Sequence, residues 1–332
     1  VAGLADIPED PVLIAPDGSR VPGQRSGSDL LFVARDVPAL GHVVYHFVPA
    51  DAPAESVAVA EEGAYFRVET PVFRAMVGRA SGIIGSLVDK RCGRELNAYG
   101  TPKWGTYVGS ARPELALNVL QISDEEHHGM TAWLMNQVHR EQSLLSGATV
   151  TLAECGPVRA VLHVEHAVRS SRILQEIVFY RDPDRVDFET FVDWQEVGTP
   201  QTGVPNLKVA FTARLDRPEA TFEIPYGAVA RPGDGQEVPA LRWADVSADD
   251  YGISVLNDCK YGYDALGGRL RLTLLRCTYD PDRVSDQGEH RFRYSLYAHA
   301  GTWREADTVR QGAGFNQPLL ARVAEVSDGT RP

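Results

Sequence analysis

From Arg159 to Trp194 the chain alternates apolar and polar positions with a period of two. Leu162, Val164, His166 and Val168 fall on one face of the first segment, and Arg159, Val161, His163 and Glu165 on the other. Arg169-Ser170-Ser171 reads as a hairpin turn, Arg172–Tyr180 returns, and Arg181-Asp182-Pro183-Asp184 turns again. In Arg185–Trp194, Val186, Phe188, Thr190, Val192 and Trp194 share the apolar face, opposite Asp187, Glu189 and Asp193. Alternation this long predicts antiparallel strands with one buried face.

The same pattern recurs at Tyr65–Glu69, Val72–Val77, Ile83–Val88, Leu207–Arg214, Ala220–Ile224, Tyr251–Leu256, Arg269–Arg276 and Phe292–His299. It predicts an all-β chain whose bulk, residues 58–325, is a large antiparallel sandwich. Residues 1–52 read as a small N-terminal β unit, with strands at Leu30–Ala34 and His42–Val48 and a turn at Pro16-Asp17-Gly18-Ser19. Pro49–Glu55 is the best linker candidate. The stretch 101–150 is the least regular. Met130–Leu145 reads either as mixed strand and turn or as one helix. The polar end, 326–332, reads as frayed.

The net charge of −12 argues against a nucleic-acid partner, because no basic surface dominates. It is compatible with a neutral ligand such as a sugar. Cys92, Cys155, Cys259 and Cys277 form no C-x-x-C pair and no zinc spacing, which points to reduced thiols and a cytoplasmic setting. No apolar run approaches membrane-spanning length, so no membrane partner is expected. The chain opens on Val1 rather than Met, so the lack of a leader pattern says little about any parent. Whether the chain self-associates as a homo-oligomer stays open.

Two polar clusters interrupt the strand pattern. In the first, Asn257, Asp258 and Lys260 offer donors, acceptors and a cation to vicinal hydroxyls, and Tyr261 offers a ring for a sugar face, with Gly262 closing the loop. The plainer reading is a turn that uses Asn, Asp and Gly for backbone reasons. In the second, Asp286, Glu289 and His290 surround Gly288, giving either an acid–base group or a hydrated loop with a glycine kink. Lysine occurs only at positions 90, 103, 208 and 260, which makes Lys260 a less routine cation here.

Other chemistry is thinly represented. His163 with Glu165, and His139 with Glu141, share strand faces, but no third metal ligand is visible. No G-x-S-x-G elbow is present. Cys259 sits beside Lys260, which can lower a thiol pKa, although a packing role is the simpler reading. Trp194 has the phase of a core residue; Trp243 suits either a core or a sugar platform.

Several strings taken together resemble a known family. Phe222–Gly227, Arg242–Asp245, Leu256–Asp264, Asp286–His290 and His299–Arg304 recur in the order found in the C-terminal half of bacterial class II α-mannosidases, glycoside hydrolase family 38, and Ile84–Leu96 resembles a further segment of it. The resemblance implies a supersandwich similar to galactose mutarotase. It implies a parent that hydrolyses α-mannosides with retention through a zinc ion and an aspartate nucleophile. Both would belong to an N-terminal barrel absent from this chain, which looks truncated at both ends. No catalytic residue, metal or cofactor is therefore expected here. The implied partners are that barrel and a mannose-containing oligosaccharide bordered by Asn257–Gly262. Two alternatives stay open: a mutarotase-like epimerase using His163 with Glu165 or His290 with Glu289, and a lectin-like module.

Overall fold

A computed structural model describes residues 11–49, 54–97 and 115–322. Their strands form five sheets, antiparallel in every pairing. The largest has nine strands. Across it run Ala148–Cys155, Arg159–Val168, Ser171–Tyr180, Arg185–Trp194, Gly288–Ala300, Tyr251–Asn257, Trp243–Ser247, Glu219–Ile224 and Gly227–Arg231. A six-stranded sheet faces it, with Val119–Glu125, Val204–Thr212 and Arg269–Arg276 in its middle.

The buried phase of the long strands builds the space between these two sheets. Phe188 and Tyr294 of the nine-stranded sheet meet Phe211 of the six-stranded one, with ring centroids 5.6 and 6.2 Å away. Trp194 lies in this layer, fully buried. The expected sandwich is therefore present, and Arg159–Val168 and Arg185–Trp194 have the bounds that the alternation implies. Each polar face turns outward, so the nine-stranded sheet carries a charged open surface.

A five-stranded sheet, Ala58–Glu62 through Arg94–Glu95, is bolted to this body by Asp89. Its buried carboxylate accepts hydrogen bonds from the Arg91 guanidinium (2.7 and 2.9 Å) and from the Tyr251 hydroxyl (2.7 Å). Arg91 also reaches Asp184 and the Ala298 carbonyl, both outside its own sheet.

The N-terminal expectation needs correction. The N-terminal strands are shorter, Asp29–Leu31 and His46–Pro49. Between them Pro38 and Gly41, with Asp36 and Leu40 at positive φ, break the extended backbone. Those strands belong to separate small sheets, and Gln24 and Ser26 bond to the Glu154–Arg159 pair of the nine-stranded sheet. Of the two readings of Met130–Leu145, mixed strand and turn is the one found, with the strand at Val138–Ser143. A helix does form at Thr308–Asn316, where no helical pattern was visible. Its two glycines are poor helix formers; packing explains it, since Gly312 lies against the Trp243 ring and Phe315 joins Trp243 in a small core. Trp243 is thus a core residue, not a sugar platform. The linker residues 50–53, Trp104 and the end 326–332 lie outside the described residues.

Candidate functional site

The strand Tyr251–Asn257 ends on Asn257, which is 1% exposed. Its amide nitrogen donates to the Leu241 carbonyl and to the Tyr263 hydroxyl, and its side-chain oxygen accepts the Lys260 N–H. The side chain is engaged in shaping the turn, which agrees with the plainer, backbone reading of this cluster. Gly262 is closely packed. A Cβ there would sit 2.4 Å from a Glu237 carboxylate oxygen and 3.2 Å from Thr273.

The turn so braced displays the remaining three residues. Tyr261 is 60% exposed. Lys260 sets its ammonium 4.5 Å from the Phe292 ring centroid. Burial pulls its pKa below the usual lysine range, against opposing pulls from Cys259, Asp286 and Asp258. Asp258 accepts the Arg293 backbone N–H at 3.1 Å and pairs with its guanidinium at 3.4 Å. Burial and the neighbouring Asp258 outweigh Lys260 and push the Cys259 thiol up to about 11, so the adjacent lysine does not lower it.

The second cluster is only partly a loop. Gly288, Glu289 and His290 already belong to the strand Gly288–Ala300. Adjacent strand residues point to opposite faces, so Glu289 lies on the side of Arg291 and Arg293 while His290 turns to the other. His290 binds the Asp286 carbonyl at 2.7 Å. Asp286 is exposed at φ 58°. Glu289 and His290 therefore do not form the acid–base pair their adjacency suggested.

Asp258 instead overhangs a cleft of about 480 Å³ on the open face of the nine-stranded sheet. Its floor is one row across four strands: His163 lies opposite Glu176, Glu176 opposite Glu189, and Glu189 opposite Arg293. Arg291 closes the row's neighbour, its guanidinium 4.4 Å from the Phe191 centroid. Burial, and then the facing Glu176, raise the Glu189 carboxyl above its ordinary pKa. Glu165, the partner proposed for His163, is instead bound to Arg172 at 2.7 Å.

Sequence reasoning missed Glu176, Glu189, Arg291 and Arg293. The turn at 181–184 already sets Glu176 opposite Glu189, so one of the three pairings was readable; the first turn proves one residue shorter than the expected Arg169-Ser170-Ser171, with Ser171 already opposite Val168, and that shift is what sets His163 opposite Glu176. The docking of Gly288–Ala300 beside Arg185–Trp194 joins segments about a hundred residues apart and has no local signal. Carboxylates, guanidinium groups and aromatic edges in one near-neutral cleft suit a hydroxyl-rich ligand. Among the described residues no His, Cys, Asp and Glu set gathers in a way that could hold a metal.

Comparison with known proteins decides the ancestry. Residues 68–283 match the family described as "Glycosyl hydrolases family 38 C-terminal domain". The chain belongs to this family. It is 33% identical over 259 residues to "Alpha-mannosidase G" of Dictyostelium discoideum, covering 74% of this chain and 22% of that protein. It is 39% identical over 163 residues to "Alpha-mannosidase 2C1" of Mus musculus, covering 47% and 15%. Among solved structures, an alpha-mannosidase from Enterococcus faecalis V583 has a similar fold across 95% of this chain and 40% of its own, with a TM-score of 0.68 at 14% identity. The chain thus spans about a fifth or less of these curated relatives.

Proposed function

We propose that this chain is the C-terminal, carbohydrate-facing part of a retaining α-mannosidase that acts on mannose-containing oligosaccharides. It supplies walls and hydrogen bonds to a sugar, while zinc and the nucleophile reside in a separate catalytic barrel. The observation that carries this reading is the cleft under Asp258, where carboxylates and guanidinium groups share one open sheet face. Asp258 accepts from sugar hydroxyls, Lys260 donates to them, and Tyr261 forms a wall. Asp286 and Glu289 extend the polar rim, with His290 bracing its entrance through the Asp286 carbonyl. The four cysteines are free, which supports a reducing, cytoplasmic setting.

Calorimetric titration with mannobiose tests the cleft. Binding in the millimolar range is expected, and Asp258→Ala should weaken it about tenfold, equivalent to ~1.4 kcal/mol. Absence of binding heat, or equal affinity in the variant, would remove the sugar from this cleft.

A further inference from the structure

The turn Met130–Met135 is unusual for an exposed segment. Met130, Trp133, Leu134 and Met135 are all exposed, Trp133 at 67%. From Gly129 to Gln137 there is no charged residue, in a chain where 23% of positions are charged. Surface turns are ordinarily polar, and a tryptophan, a leucine and two methionines within six residues form an apolar projection.

This projection is also held rigidly. Thr131 at its base is fully buried, and its hydroxyl accepts the backbone N–H groups of Tyr279 and Asp280. The Asp280 carboxylate accepts the Met130 N–H at 2.6 Å, and its carbonyl accepts that of Ala132. Arg276 donates to the carbonyls of Thr131 (2.6 Å) and Leu134 (2.7 Å) while paired with the buried Glu125. Met130 is kept at φ 57°, a conformation that side chains disfavour. The polar groups beneath thus point the apolar ones outward, and an anchor fixed in advance loses little entropy when it docks.

We propose that Met130, Trp133, Leu134 and Met135 form a preorganised knob that seats in an apolar concavity elsewhere in a longer family-38 polypeptide. This rests on the reading that the chain works as part of such an enzyme. The occupant follows from two observations. The matched relatives and the solved mannosidase embed this sandwich in proteins at least twice as long. The knob carries no charge, so it suits the interior-like contact of two parts of one chain better than a transient, polar encounter.

Hydroxyl-radical footprinting of Trp133 tests this in two samples: the present chain and the product of the complete reading frame. Oxidation of Trp133 should be about tenfold slower in the longer product, while buried Trp194 and Trp243 resist in both. Trp133→Asp should leave the melting temperature of the present chain unchanged and lower that of the longer product by several degrees. Equal oxidation in the two samples, an unaffected longer product, or a reading frame with nothing beyond these residues would overturn the proposal. Protection that grows with the concentration of the present chain would also overturn it, assigning the knob to a second copy. Protection without any mannoside hydrolysis would leave the docking intact and remove the enzymatic reading; hydrolysis with a freely oxidised Trp133 would do the reverse.

Discussion

Arg276→Ala should cost the fold about 3–5 kcal/mol, because it leaves the Glu125 carboxylate buried without its cation. The Glu125 side chain is 0% exposed and receives Arg276 at 2.6 and 2.8 Å, Asn206 at 3.1 Å and the Asn136 N–H at 3.1 Å. Burial pushes its carboxyl pKa up, and these donors more than reverse that, holding it below the usual carboxylate range. No relaxation can relieve the loss cheaply. Gly203 closes over the same strand at φ 80°, where even a Cβ would lie 1.8 Å from the Glu125 carbonyl oxygen. Urea unfolding measures the effect as a lower midpoint at unchanged slope. A variant within about 1 kcal/mol of the parent would show that the ion pair is dispensable. The same substitution frees the Thr131 and Leu134 carbonyls, so proteolysis near residues 130–135 should accelerate.

Acidification should weaken the chain in two stages. His166 is buried, and burial holds its imidazole pKa below the ordinary value despite its bond to the Ser81 carbonyl. The unfolded chain therefore binds this proton more readily, and stability begins to fall as pH drops below about 6.5. The second stage comes from Asp89 and Glu125. For Asp89 too, burial raises the pKa, but hydrogen bonds from Arg91 and Tyr251 outweigh it and the net shift is downward. A depressed carboxyl pKa stabilises the fold fully above its unfolded value near 4 and is lost as pH falls through the native value. Asp89→Ala should remove about 3 kcal/mol at neutral pH, since it strands the buried Tyr251 hydroxyl and unfastens the five-stranded sheet. It should also flatten the second stage while leaving the first. Melting curves from pH 7 to pH 3 check both; an unchanged acid profile in the variant would assign acid sensitivity elsewhere.

The legible part of the molecule is the part governed by local alternation. Val186, Phe188, Val192 and Trp194 announce a buried face because period two has one physical cause, and the strands they define appear with the expected bounds. The N-terminal strands were less legible because Pro38 and Gly41 act on backbone that has too few apolar neighbours to resist them. The helix Thr308–Asn316 was hidden because its stability comes from Trp243, sixty-odd residues upstream, and not from its own propensities. At the candidate site, the sequence singles out Asp258 and Lys260 as candidates, yet it treats Asn257 the same way. Only the fold distinguishes an amide consumed within a turn from a carboxylate hanging over a cleft. The pairing of Glu189 with Arg293 depends on which distant strands become neighbours, and no spacing rule within either segment encodes it.

The most direct test of a sheet-built sugar wall without reactive chemistry is hydrolysis of an aryl α-mannoside by the purified 332-residue chain, with and without added zinc. The expected result is a rate equal to that of buffer under both conditions. Saturable hydrolysis that requires zinc and disappears with a chelator would contradict it, placing a complete reacting centre within these residues.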